Sequence, residues 1–200
     1  MSFQHTKLFG GAIVADLPTE FGDVSDIRQV PDTQEVYLDA NGFTSIIFDI
    51  LQRVEHAASD EAALKVHFQD IVDGSGDATK FYEVKQTTLG KMPSTPAHTL
   101  LAIQTPTPPT PAPGSLSTIA PPSRNPQPDF TAILLTLVRL VEQKTDIVIA
   151  INVPHAAGEY AIGSVDLENG KAGVMLETAA MVREKVLASL EVKDWGLFVN

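Results

Sequence analysis

Between Asp16 and Asp39 stand Asp16, Glu20, Asp23, Asp26, Asp32, Glu35 and Asp39, with Arg28 as the one base among them. Seven acids against one base leave a local charge of −6, more than half of the chain's net −11. Carboxylates at this density have three chemical uses. Two in one cleft can divide acid and base work, provided burial raises the pKa of one. Several together can hold calcium, but that takes a dedicated loop, and no D-x-[DN]-x-[DN]-G pattern occurs. The third use is to face a basic partner, and nothing in the sequence pattern asks for the first two.

Other chemistries find less support. The histidines His5, His56, His67, His98 and His155 show no H-x-x-x-H spacing that would pair them on a metal. His67 lies beside an apolar stripe and is expected in the core. No serine sits in G-x-S-x-G, and Gly10-Gly11 belongs to neither a Walker loop nor a dinucleotide fingerprint. A tight turn accounts for that glycine pair. Cysteine is absent, which removes disulfides, thiol nucleophiles and cysteine-ligated zinc. The expectation is a chain that binds, with no chemistry and no cofactor of its own.

The acidic stretch needs a scaffold, and much of one is legible. Ile46, Ile47, Ile50, Leu51 and Val54 follow a helical spacing, which predicts a helix over Thr44–Val54 capped by Thr44 or Ser45. Asp60 is placed to cap a second helix with Leu64, Phe68 and Ile71 on one stripe and Gly74 beyond its end. Lys80–Gln86 alternates and predicts a half-buried strand; Leu100–Ile103 predicts a short one. Ile147–Val153 is almost wholly apolar and β-branched, as a central strand covered on both faces should be. Phe130–Val141 fits helix or strand by periodicity, and the short link to Ile147 favours a hairpin. Met175, Ala179, Val182, Val186 and Leu190 predict a long helix, and a last strand is expected around Trp195–Val199.

Eleven of the 14 prolines fall between Pro93 and Pro128, so a long proline-rich loop insertion is expected at about 105–128. Within it Pro106-Thr107-Pro108-Pro109 fits either a ligand for a proline-recognising domain or a tolerated insertion. The 200 residues, 44% hydrophobic, suffice for one domain with a real core. No apolar run reaches the roughly 20 residues of a membrane span, and the N-terminus lacks an apolar leader segment. The negative charge disfavours nucleic acid and anionic lipid as partners. These elements together predict a mixed, largely antiparallel sheet with helices packed on it.

One stretch is more specific than all of this. Leu8-Phe9-Gly10-Gly11-Ala12-Ile13, Leu17-Pro18, and the string from Asp23 to Tyr37, of form D-V-S-x-x-R-x-V-P-D-x-Q-E-V, resemble the signature of the Ran guanine nucleotide release factors, the Mog family of nuclear-import proteins. Ser45–Leu51, taken as the first helix, His67–Asp70, Leu137–Leu140 and Thr145–Pro154 match further along. The proline loop departs from the family pattern. The resemblance implies one Ran-binding domain over 1–200, an α/β/α sandwich around a six-stranded, mostly antiparallel sheet, similar to the photosystem PsbP proteins. It implies a monomer of nucleus and cytoplasm that binds the GTPase Ran and promotes release of its guanine nucleotide. The alternative is a structural adaptor or chaperone on the same fold, without exchange activity. The resemblance places Asp32 and Glu35 in Ran binding, with Asp23 and Asp26 as weaker members of the same string. The residues alone leave two local alternatives: Asp23 and Asp26 as caps of the turn at Val24–Arg28, and Asp32 as an Asx-turn residue. Strand alternation would turn Glu35 outward if Val36 is buried.

Overall fold

The structure, a computed structural model, describes residues 1–25, 30–107, 127–156, 158–161 and 163–198. The proline-rich loop lies mostly outside the described residues, and Asp26 and Arg28 lie outside them altogether. Among the described residues, ten strands and two helices run in the order β1 (Phe3–Leu8), β2 (Ile13–Pro18), β3 (Phe21–Asp23), β4 (Gln34–Asp39), β5 (Ser45–Gln52), α1 (Asp60–Val72), β6 (Ala78–Thr87), β7 (Ala97–Thr105), β8 (Thr131–Leu140), β9 (Thr145–Pro154), α2 (Gly173–Ser189) and β10 (Glu191–Val192). A seven-stranded antiparallel sheet has the order β3-β4-β5-β9-β8-β7-β6, and a three-stranded one has the order β1-β2-β10. The count therefore exceeds the six strands expected by one, and the three-residue β3 is the short strand at one edge.

The two faces of the large sheet have separate cores. Side chains alternate along a strand, so Leu134 and Val138 of β8 point one way while Leu135 and Leu137 point the other. The first set packs with Ile147, Ile149, the small sheet and the α2 residues Met175, Ala179, Val182 and Val186. The second packs with Val148, Ala150 and the α1 residues Ala63, Leu64 and Phe68. β9, between β5 and β8, is buried over most of its length, as its uniform composition predicts.

The stretch Thr44–Val54 holds a strand, Ser45–Gln52, and not a helix. Ile46 and Phe48 face the α2 side, whereas Ile47 and Leu51 face the α1 side. A strand lined with apolar residues on both faces loses its period of two and imitates a helical stripe; the isoleucines favour the extended form. Trp195–Phe198 is a short 3-10 turn rather than a strand. The Asp194 carboxylate accepts from the Gly196 amide at 2.8 Å and curls the chain there, while the last strand forms earlier, against Ile13 and Val14 of β2. Ser59, not Asp60, caps α1: its hydroxyl accepts from the Ala62 amide at 3.1 Å.

Candidate functional site

The acidic string falls on β3, β4 and the segment between them, at one edge of the large sheet. The Gln34 amide donates to the Pro31 carbonyl at 2.8 Å, so Asp32 and Thr33 form the corner of a reverse turn. The Ile50 amide donates to the Thr33 carbonyl at 2.9 Å and fastens that corner to β5. Asp32 is exposed, and among the described residues its carboxylate has no hydrogen-bond or ion-pair partner. The turn closes through backbone, without the Asx bond.

Glu35 is placed differently. Its Oε1 accepts from the Phe9 amide at 2.6 Å and its Oε2 from the Tyr37 hydroxyl at 3.2 Å. Buried Tyr37 and half-buried Glu35 are two residues apart in β4 and so share a face, while Val36 is only half-buried. Val36 thus fails the condition on which Glu35 would have turned outward, because the core wanted Tyr37 instead. The bond to Phe9 holds a costly conformation: Phe9 has φ 50°, in the left-handed region, ahead of Gly10 at φ 66°. Glycine relieves the second position, and a charge-assisted bond supports the first.

Asp23 lies opposite Tyr37 across the β3–β4 ladder. It is exposed, and its Oδ1 accepts from the Ser25 amide at 2.8 Å, which makes it an Asx-turn residue. Burial raises the Tyr37 pKa above the usual phenol range, and the charges of Glu35 and Asp23 and the bond to Glu35 act in the same direction. Tyr37 therefore stays protonated and donates. The fold gathers Glu35 and Asp23 around Tyr37 and sets Asp32 apart on its corner.

Two features escaped the sequence reading. A groove of about 710 Å³ opens beside Asp32, between Phe9, Ile50, Lys144, Leu197 and Phe198. On the α1 face, Asp146 is fully buried and accepts from Arg139 Nε at 3.1 Å, His67 Nε2 at 2.9 Å and the Val54 amide at 3.0 Å. Arg139 also donates to Asp60 at 2.8 Å and to the Val54 carbonyl at 2.7 Å. Burial acts to raise the Asp146 pKa, but the His67 bond, the Val54 amide and the Arg139 charge prevail and hold it below the usual carboxylate value. The sequence signal for this cluster was a lone arginine inside the apolar run Leu137–Leu140 and an aspartate opening another.

Asp129, His155 and Ser164 are bonded in series, at 2.9 and 3.3 Å, in the order of a nucleophilic triad. Asp129 is half exposed instead of buried behind the imidazole, and it neighbours His155 across the start of the β8–β9 pair. His155 stacks on Phe130 with ring centroids 4.7 Å apart. The series staples the chain after β9 to the base of β8. Among the described residues no group of three or more His, Cys, Asp or Glu side chains is placed to hold a metal ion, and no helix is long and apolar enough to cross a membrane.

Fold and surface together define a mixed α+β protein: one large antiparallel sheet, a helix on either face, and an acidic turn at its edge. The chain belongs to the Mog1 family, described as Ran-interacting Mog1 protein, whose model matches residues 6–154. It is 28% identical over 206 residues to the "Probable ran guanine nucleotide release factor" of Dictyostelium discoideum, covering all of this chain and 98% of that one. It is 31% identical over 199 residues to the "Nuclear import protein mog1" of Schizosaccharomyces pombe, covering 96% of this chain and 98% of that protein. The fold is similar to the crystal structure of the Saccharomyces cerevisiae Ran-binding protein Mog1p, with a TM-score of 0.74, 24% identity and full coverage of both chains.

Proposed function

We propose that this chain binds the small GTPase Ran and promotes release of its guanine nucleotide, in support of nuclear protein import. One observation carries the reading. The family match spans the string from Asp23 to Tyr37, and the relatives similar along the whole chain are named for Ran nucleotide release or nuclear import. The protein works by binding alone, as a monomer without a cofactor, in nucleus and cytoplasm, on a PsbP-like fold. Neither nucleic acid nor membrane is its partner.

Ran's nucleotide is a polyanion held by magnesium and basic groups. An acidic surface that competes for those groups, or that fits the emptied GTPase better than the loaded one, drives release. Linkage sets the requirement: a ligand shifts an equilibrium only through its difference in affinity between the states. Asp32 is the foremost contact, exposed and, among the described residues, without an internal partner. Glu35 and Asp23 contribute from the same edge, and Asp26, outside the described residues, belongs to the same string.

The test is release of fluorescent GDP from Ran with and without the protein. Accelerated release is expected. Substituting Asp32→Ala together with Glu35→Ala is expected to weaken Ran binding by about 2 kcal/mol or more in calorimetry. Binding with no acceleration would instead make the chain a non-exchanging adaptor or chaperone, and no binding would end both readings.

A further inference from the structure

We propose that the groove beside Asp32 seats one extended segment of the same GTPase. The segment presents a basic side chain to Asp32, an apolar one to the groove floor and an acidic one to Lys144. This rests on the Ran-binding reading and adds the chemistry of the contact.

Sheet register fixes the layout. The Asp32 turn leads into β4, Gln52 closes β5, and Thr145 opens β9 directly opposite Gln52. Asp32 and Lys144 therefore flank the end of β5 from either side, about two strand spacings or ~10 Å apart. Both are exposed, and among the described residues neither side chain has an ion-pair or hydrogen-bond partner. Two opposite charges left unpaired on facing rims select a partner with the reverse pattern. An extended chain covers ~10 Å in about three residues, so the basic and acidic positions should lie about three apart.

Apolar side chains make up part of the groove floor, beside the polar Thr33, Gln52 and Gln143. Phe9, Ile50 and Phe198 line it at the border of the core, and Leu197 stands 37% exposed at its side. The surface continues past the β8–β9 turn. Gln143 lines both this groove and a second one of about 730 Å³, where Val141 and Trp195 are 52% and 44% exposed. Large apolar side chains next to an unpaired carboxylate form a contact with an anchor and a rim charge, the arrangement in which a few residues hold most of the affinity. Phe9 is held at the groove by the bond from its amide to Glu35, which makes Glu35 a positioning residue for this surface.

Titration of nucleotide-free Ran into the full chain tests the idea, using wild type, Asp32→Ala, Leu197→Asp and Lys144→Glu, each with its thermal melting curve. Leu197→Asp is expected to raise Kd at least about tenfold, and Lys144→Glu a few-fold, by loss of an anchor and reversal of a rim charge respectively. The Lys144 residue is exposed, so its variant carries the test if Leu197→Asp melts early. Should only Asp32→Ala weaken binding, the groove is not the seat and the acidic contact stands. Should all three variants bind as wild type does, neither the groove nor Asp32 meets the partner and the proposal falls, whereas no binding by the wild type would overturn the Ran-binding reading itself.

Discussion

Asp146 accepts three hydrogen bonds in the interior, whereas Asp32, on the turn before β4, has no partner among the described residues. The group is the same and the surroundings are opposite. A carboxylate buried at 0% exposure survives only with donors on its lone pairs, and those donors come from β8, α1 and the chain leaving β5. Asp146 is therefore a structural tie between elements far apart in sequence. Asp32 remains in water and keeps its hydration, which the proposed contact with a partner would displace. Acidity marks a binding surface only where the fold has not already used it.

The sharpest way to break this contrast is to remove each carboxylate in turn and measure stability by urea denaturation. Asp146→Ala leaves the Arg139 guanidinium buried with its main counter-charge gone, and is expected to cost about 3–5 kcal/mol. Replacing Arg139 by Met in the same background should recover a large part of that, since the uncompensated charge goes with it. The acid side of the stability curve reports the same network. With its folded pKa held below the unfolded value, Asp146 contributes stability above about pH 4 and loses it as pH falls through the folded pKa. In Asp146→Ala that part of the acid limb should flatten. An equal cost for Asp32→Ala would erase the distinction between the two sites.

Glu35 lies between the extremes and divides the two kinds of effect. Glu35→Ala orphans the Phe9 amide and the Tyr37 hydroxyl, an expected loss of about 1–3 kcal/mol of stability. Asp32→Ala, on an exposed corner, should stay within about 0.5 kcal/mol of wild type. Glu35→Gln keeps an acceptor for the Phe9 amide and should restore most of that stability. If Glu35→Gln also restores Ran binding, Glu35 acts by placing Phe9; if binding stays weak, its charge touches the partner.

How much of this was visible beforehand follows from what sequence patterns encode. β9 was legible because a central strand must be apolar throughout, and α2 because its inner face repeats at helical spacing. β5 was misread for the reason β9 was read well: burial on both faces removes alternation, and Ile46, Ile47, Ile50 and Leu51 then fit a helix too. The Asp23–Tyr37 string was recognisable as a motif, yet its internal split was not. Which of Asp32 and Glu35 turns inward depends on Tyr37 claiming the core and on Phe9, 26 residues away, needing an acceptor. The groove was invisible because Phe9, Lys144 and Leu197 meet only through tertiary structure.

Asp60 supplies a small effect and the finest test of the comparison. Its carboxylate binds Arg139 at 2.8 Å but is 36% exposed, so water competes for the same charge. Arg139 would keep Asp146 and the Val54 carbonyl after Asp60→Asn, and the amide oxygen can still accept from it. Screening limits an ion pair of this exposure, and the expected loss is at most about 1 kcal/mol, read as a small shift of the urea midpoint. Stability should thus fall in the order Asp146, Glu35, Asp60, Asp32 as each carboxylate is removed, following how many donors the fold has given it. Ran affinity should not follow that order: Asp32 should stand first, while Asp60, on the α1 face, should leave it unchanged. A loss of binding in Asp60→Asn at preserved stability would mean that the α1 face also meets the partner, and the division between inner and outer carboxylates would have to be redrawn.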